Sequence, residues 1–266
     1  MKLSFSTLGC PDWDVWQVAE KAKEYGFDAV ELRTRDDKHV YPTLTKEQRR
    51  EIAAHYQKNG VEIACLAGYA SFNVKDKAIL EQRKQQLLDQ LDLAVDLHAK
   101  YVRAFIGQGL NGLTEAEVVE IASEYLNICG AVAEQKRVQI LLETHSTFGT
   151  GKKVSPVLQN MQNNAVGVIW DFGHSVSQGE TLEETYALLG DSIKHVHTKD
   201  MHIGKDGKHE SCLVGKGSLP LREFIVLLQS NGFSGCYSLE WEKWWEPALE
   251  DPEIAFPYYV NYMRNL

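Results

Sequence analysis

Short runs of β-branched and aromatic residues alternate with longer amphipathic segments from one end of the chain to the other, and the two periods set the expected elements. Strands are expected near residues 2–8 (KLSFSTL), 28–33 (DAVELR), 61–67 (VEIACLA), 101–106 (YVRAFI), 138–143 (VQILLE), 166–171 (VGVIWD), 193–198 (IKHVHT) and 235–241 (GCYSLEW). Helical periodicity lies near 13–25, 44–59, 77–98, 115–136, 153–162, 181–189, 219–230 and 251–264. Some helices carry their own punctuation. Thr114 with Glu117 three residues on makes a capping box, and Gly26 and Gly60 stand at C-terminal ends.

Strands that read as near-continuous apolar runs are buried on both faces, and right-handed crossovers of this length close into a barrel at eight units. The expected architecture is therefore α/β, a (β/α)8 TIM barrel forming one domain over residues 1–266, with an open doubly wound sheet as the alternative. No low-complexity tract, Pro/Ser-rich linker or composition shift marks a boundary. The longest non-periodic stretch, about residues 199–218, follows strand seven and so falls on the catalytic face of such a barrel.

A chain of 266 residues, 44% hydrophobic and 24% charged, can bury a core without disulfides and is not disordered in composition. It has no apolar run of the roughly eighteen residues a membrane helix needs, and its first residues are strand-like, so a cytoplasmic protein with no membrane partner is expected. The cysteines, Cys10, Cys65, Cys129, Cys212 and Cys236, are odd in number and never in a Cys-x-x-Cys pair, which marks them as reduced packing residues. A net charge of −9 repels a phosphate backbone and argues against nucleic acid as a partner, while carboxylates gathered at a cleft suit a divalent cation.

Active sites of barrels form at the C-terminal ends of strands, so the residues that close each run are the informative ones. Strand five ends at Glu143, strand six at Asp171, strand seven at His197, and strand eight at Glu240. Taken singly, such an acid is a rim residue or a helix cap and such a histidine a hydrogen-bonded core residue. Four consecutive strands ending alike in one register is what those plain readings leave unexplained. Two glutamates, an aspartate and an imidazole form a mostly hard donor set for one divalent ion, Mn2+ first, with Mg2+, Co2+ or Zn2+ also suited.

The motifs G-F-D-A-V-E-L-R at 26–33, L-L-E-T-H at 141–145, W-D-F-G-H at 170–174, H-V-H-T-K-D at 195–200, L-V-G-K-G at 213–217 and G-F-S-G-C-Y-S-L-E-W-E at 232–242 span nearly the whole chain. In that order they resemble the xylose isomerase-like barrel superfamily, in its sugar phosphate isomerase/epimerase branch, which also holds tagatose 3-epimerase-like and inosose-metabolising enzymes. The resemblance implies that Glu143, Asp171, His197 and Glu240 are metal ligands and that His174 contacts a substrate hydroxyl. Lys216 stands where the resembling motif, G-E-G, carries an acid, which removes any role of that acid here.

The expected function is a metal-dependent isomerase or epimerase of a ketose or keto-sugar, working through a metal-stabilised enediolate with Glu143 and Glu240 as catalytic acid and base. The alternative is a metal-dependent dehydratase of the inosose-dehydratase type. An abasic-site endonuclease of the same superfamily is disfavoured, because its extra histidines are replaced here by Ala67-Gly68 and by Arg103 to Gly107. Lys199 and His145 are further substrate-binding candidates, as loop residues equally readable as solvated groups or as partners that support the ligands. Arg103 is another, with an ion pair under the barrel mouth as its plain reading. Asp200 is expected to brace its loop or orient an imidazole. Gly215 and Gly217 could admit a phosphate or mark a tight turn. Trp241, Trp244, Trp245, Phe72 and Tyr69 are either pocket walls or packing. The partner is a small-molecule sugar or keto-sugar, and family analogy allows a homo-oligomer.

Overall fold

Eight parallel strands close on themselves in the computed structural model of the protein, which describes residues 1–35, 38–204 and 209–266. They are β1 (Lys2–Ser6), β2 (Ala29–Arg35), β3 (Glu62–Ala67), β4 (Tyr101–Ala104), β5 (Gln139–Glu143), β6 (Val166–Asp171), β7 (Ile193–Thr198) and β8 (Cys236–Leu239). Each pairs with the next, and β8 returns to β1 in parallel, with Lys2 opposite Cys236 and Phe5 opposite Leu239. That last pairing closes the barrel and removes the open doubly wound sheet as an alternative.

The helices are α1 (Val15–Tyr25), α2 (Lys46–Asn59), α3 (Lys77–Leu97), α4 (Glu115–Lys136), α5 (Gly151–Gln159), α6 (Phe172–Ser177), α7 (Leu182–Leu189), α8 (Leu221–Ser230) and α9 (Pro252–Arg264). The Thr114–Glu117 capping box forms in both directions. Gly26 ends α1 in the left-handed region at φ 83°, a conformation a residue with a Cβ adopts only with strain. Three strands stop short of expectation. The run at 2–8 breaks after Ser6, whose hydroxyl accepts the Leu8 N–H and starts a single 3-10 turn. The runs at 101–106 and 235–241 end at Ala104 and Leu239.

Alternation along each strand sorts residues into two layers. Ile140 and Leu142 on β5, Val168 and Trp170 on β6, and Val196 on β7 join the apolar layer between barrel and helices. Their neighbours point inward: Cys65, Leu141 and Ile169 pack with Tyr101 in the lumen, and two residues on toward the C-terminal mouth β4, β5 and β6 carry Arg103, Glu143 and Asp171.

The stretch at 199–218 is less irregular than expected, because Asp200–Ile203 pairs antiparallel with His209–Cys212. Residues 205–208 of that stretch lie outside the described residues. Cys10, Cys65, Cys129 and Cys236 are buried, Cys212 is half-buried, and all five are free thiols. Among the described residues no helix is long and apolar enough to cross a membrane.

Candidate metal centre and active site

Glu143, Asp171, His197 and Glu240 all meet at the mouth, and one ligand atom from each lies within 4.8 Å of the others. Glu143 and Asp171 are the last residues of β5 and β6, and His197 is the penultimate residue of β7. Glu240 lies one residue beyond β8, yet its N–H still bonds to the Thr198 carbonyl at 3.0 Å, which keeps it in register. His197 Nδ1 faces the two glutamates, 3.4 Å from Glu240 Oε1 and 3.7 Å from Glu143 Oε1. All four side chains are buried.

Two cations balance these acids. Arg103 Nη1 bonds to Glu143 Oε2 at 2.8 Å, while its Nε donates to the Gly68 carbonyl at 3.1 Å. Lys199 Nζ sits 2.7 Å from Asp171 Oδ2, 2.6 Å from Glu240 Oε2 and 3.6 Å from Glu242 Oε1. Burial alone would raise the Glu143 carboxyl, but Arg103 and then His197 outweigh it and hold it at about 2. Glu240 is likewise lowered despite its burial, by Lys199 and then His197. Asp171 goes the other way: burial, reinforced by Glu240, pushes it up to about 8 against the pull of Lys199. His197 is raised despite burial, because Glu240, Glu31 and Glu143 surround it.

The donor set fits a divalent cation. Among the described residues Glu143 Oε1 and His197 Nδ1 are buried without a hydrogen-bond partner, and Asp171 Oδ2 and Glu240 Oε2 have the Lys199 ammonium beside them but outside hydrogen-bond geometry. Buried polar atoms left so are costly unless something completes them. Three carboxylates and one imidazole converging on one point are completed by a hard or borderline divalent ion.

The remaining candidates divide. His145 and His174 pack edge to face at the mouth, ring centroids 4.4 Å apart, both half-buried. Burial, with Lys199 and His145 beside it, depresses the His174 imidazole to about 3, and burial lowers His145 as well. Both rings are therefore neutral at ordinary pH. Arg103 is 5% exposed and occupied by Glu143, the ion pair that was its plainer reading. Lys199 engages the acids themselves, the reading of it as a partner of the ligands and not as a solvated group.

Asp200 braces its loop: its carboxylate accepts the N–H groups of Met201, Gly215, Gly217 and Leu219. That use of the Gly215 and Gly217 amides corrects the idea of a phosphate cradle there, and Lys216 is exposed in the turn between them. Phe72 and Trp241 are core residues; Phe72 stacks on Tyr125, and Trp241 donates its indole N–H to the Glu250 carbonyl. Tyr69 lies 4.9 Å from the Arg103 guanidinium, and Trp244 covers Arg33 at 4.6 Å. Trp244 and Trp245 are exposed.

Two polar residues of the lumen had not been singled out. Glu31 on β2 and His195 on β7 are wholly buried beneath the four donors: Glu31 Oε2 bonds to His197 Nε2 at 3.0 Å, and His195 Nε2 stands 3.1 Å from the same oxygen, outside hydrogen-bond geometry. The H-V-H spacing carries the signal, since residues two apart on a strand share a face.

The family model described as xylose isomerase-like TIM barrel matches residues 19–256. An inosose isomerase of Halalkalibacterium halodurans is 22% identical over 231 residues, covering 83% of this chain and 80% of its own. An inosose dehydratase of Clostridium botulinum is 28% identical over 148 residues, 50% of this chain and 47% of that protein. A crystal structure of IolI protein with a binding zinc atom aligns with a TM-score of 0.84 at 20% identity, covering 100% of this chain and 97% of that one. At that identity the structural likeness speaks for the fold.

Proposed function

The chain belongs to the xylose isomerase-like TIM barrel family, and on that footing we propose that it is a divalent-metal-dependent isomerase or epimerase of a ketose or keto-sugar derivative. The observation that carries this reading is the convergence of Glu143, Asp171, His197 and Glu240 at one rim, with both glutamates within 3.7 Å of His197 Nδ1. Those four residues would hold the cation, Mn2+ first because three donors are hard oxygens, with Mg2+, Co2+ or Zn2+ also suited. A divalent ion bound there supplies electrophilic stabilisation of a substrate oxygen that gathers negative charge as a neighbouring proton is removed.

Glu143 and Glu240 come from strands three apart in the barrel order, so they reach the reacting carbon from different sides. One takes the proton and the other returns it: between faces this inverts a centre, and between adjacent carbons it moves the carbonyl. Arg103 keeps the first glutamate ionised and Lys199 the second, so each starts as an acceptor, and the one that returns a proton must first take it from the substrate carbon itself, from a substrate hydroxyl or from water. His145 and His174, neutral and half-buried with their rings 4.4 Å apart, would bond substrate hydroxyls. The names of the relatives support an inosose or a related keto-sugar as substrate.

A dehydratase reading is favoured by one feature: the Lys199 ammonium between Asp171 and Glu240 could protonate a departing β-hydroxyl. The relative named inosose dehydratase supports it. Proton NMR in D2O with a panel of ketoses, keto-glycosides and inososes separates the two. Isomerisation or epimerisation incorporates deuterium at carbon without loss of water, whereas dehydration gives an unsaturated or deoxygenated product. Both readings fail if a chelator-stripped chain turns over as fast as one resupplied with Mn2+.

A further inference from the structure

A carboxylate at the bottom of a lumen is an expensive way to fill space, since an apolar side chain would pack there without a desolvation cost. Glu31 is 0% exposed, and its Oε2 is hydrogen-bonded at 3.0 Å to Nε2 of His197 and approached at 3.1 Å, outside hydrogen-bond geometry, by Nε2 of His195, also 0% exposed. Its Oε1 has no hydrogen-bond partner and lies 4.0 Å from Arg103 Nη1, the same nitrogen that holds Glu143. An imidazole has two edges. The Nε2 edge of His197 is spent on Glu31, while its Nδ1 edge faces Glu143 and Glu240.

We propose that Glu31 is a positioning residue: by accepting the Nε2–H of His197 it fixes the tautomer and ring orientation that turn the Nδ1 lone pair toward the donor cluster, and His195 holds Glu31 in place. This rests on the proposed metal-dependent function and adds to it a buried axis, His195–Glu31–His197, running up the lumen to the site. An outer carboxylate of this kind also makes the ligating nitrogen more basic, and removing such a partner typically weakens metal affinity by about 10–100-fold.

The test uses the full chain and its isosteric variant Glu31→Gln, with His195→Gln as a second variant should the first fail to fold. Isothermal titration with Mn2+ and Zn2+ is expected to show affinity falling at least about tenfold in Glu31→Gln and less in His195→Gln. A merely structural role would leave the His197 tautomer untouched, so 15N NMR of histidine-labelled wild type and variant supplies the second readout. Wild-type His197 is expected to carry its proton on Nε2 when Zn2+ is bound, and the variant to show a mixture. Affinity within twofold of wild type in Glu31→Gln, or a proton on His197 Nδ1 in the Zn2+-loaded wild type, would overturn the assignment. If the wild type bound no divalent cation, the proposed function would fall instead, and the position of the His197 proton in the cation-free chain at alkaline pH would still decide the role of Glu31.

Discussion

Lys199 Nζ lies 2.7 Å from Asp171 Oδ2, so an ammonium of the chain itself touches an oxygen that a divalent ion would claim. The two cations cannot both keep it, because at such distances their repulsion in a buried site is large. Lys199 is thus the counter-ion of the cluster, and a divalent cation held there would displace it, with Glu242 Oε1, 3.6 Å away, the further acid within its reach. Lys199→Met is expected to lower the melting temperature of the cation-free chain by roughly 5 °C or more, since it breaks a buried pair. The same change should tighten Mn2+ binding by about tenfold. Scanning calorimetry with and without Mn2+ checks both; equal cation affinity in variant and wild type would show that Lys199 does not compete.

The same cluster fixes a pH dependence. Asp171 rises from an ordinary 3.8 to about 8 through burial, and His197 is raised by Glu240, Glu31 and Glu143, so the cation-free site holds protons that metal must expel. Metal affinity should climb as pH rises toward about 8. Titration in buffers of differing ionisation enthalpy should detect proton release below that pH. For the cation-free chain the sign is opposite. An aspartate whose folded value exceeds its unfolded one stabilises below 4, and that stabilisation is lost progressively as pH rises through about 8. Asp171→Asn should flatten this slope in a urea-unfolding series at pH 5 to 8.

The four donors were legible because each lies within one residue of the end of its strand, and a boundary error of that size still leaves the side chain at the mouth. His195 was readable only through His197, whose face it shares two residues away, and Glu31 was not readable, because β2 ends in no donor that would say which of its faces points into the lumen. Arg103 could be placed on β4 but not aimed: its partner Glu143 is set by the register of β4 against β5, Arg103 opposite Leu141. The hairpin at 200–212 escaped notice because its strands are half-exposed and mostly polar, so they lack the apolar alternation by which the barrel strands announce themselves.

Glu143→Gln and Glu240→Gln should each reduce turnover by about a hundredfold or more, as expected for a group that moves a proton in the rate-limiting step. Gln keeps an acceptor for Arg103 in the first case and for Lys199 in the second, so circular dichroism should show the fold intact. The deuterium-exchange assay separates their roles. A variant lacking only the returning acid should still wash substrate deuterium into solvent, while one lacking the base should not. If both variants kept near-wild-type turnover on the true substrate, the acid-base assignment would be abandoned.

Asp200 offers a prediction about the loop beside the site instead of the chemistry within it. Its Oδ1 accepts from Met201 and Leu219, its Oδ2 from Gly215 and Gly217, and it is 3% exposed. Both oxygens must accept, so Asp200→Asn, which turns one into a donor, should be nearly as damaging as Asp200→Ala. Leaving these amides without an acceptor should cost about 3 kcal/mol. Gly217 belongs to the same arrangement, because a Cβ there would stand 2.2 Å from Asp200 Oδ1, and Gly217→Ala should loosen the loop equally. Limited proteolysis is expected to cut all three variants faster between residues 199 and 219, while Mn2+ affinity stays within about threefold of wild type because no donor is touched. Wild-type resistance to protease in Asp200→Asn would mean that the loop is held by its hairpin pairing and not by this carboxylate.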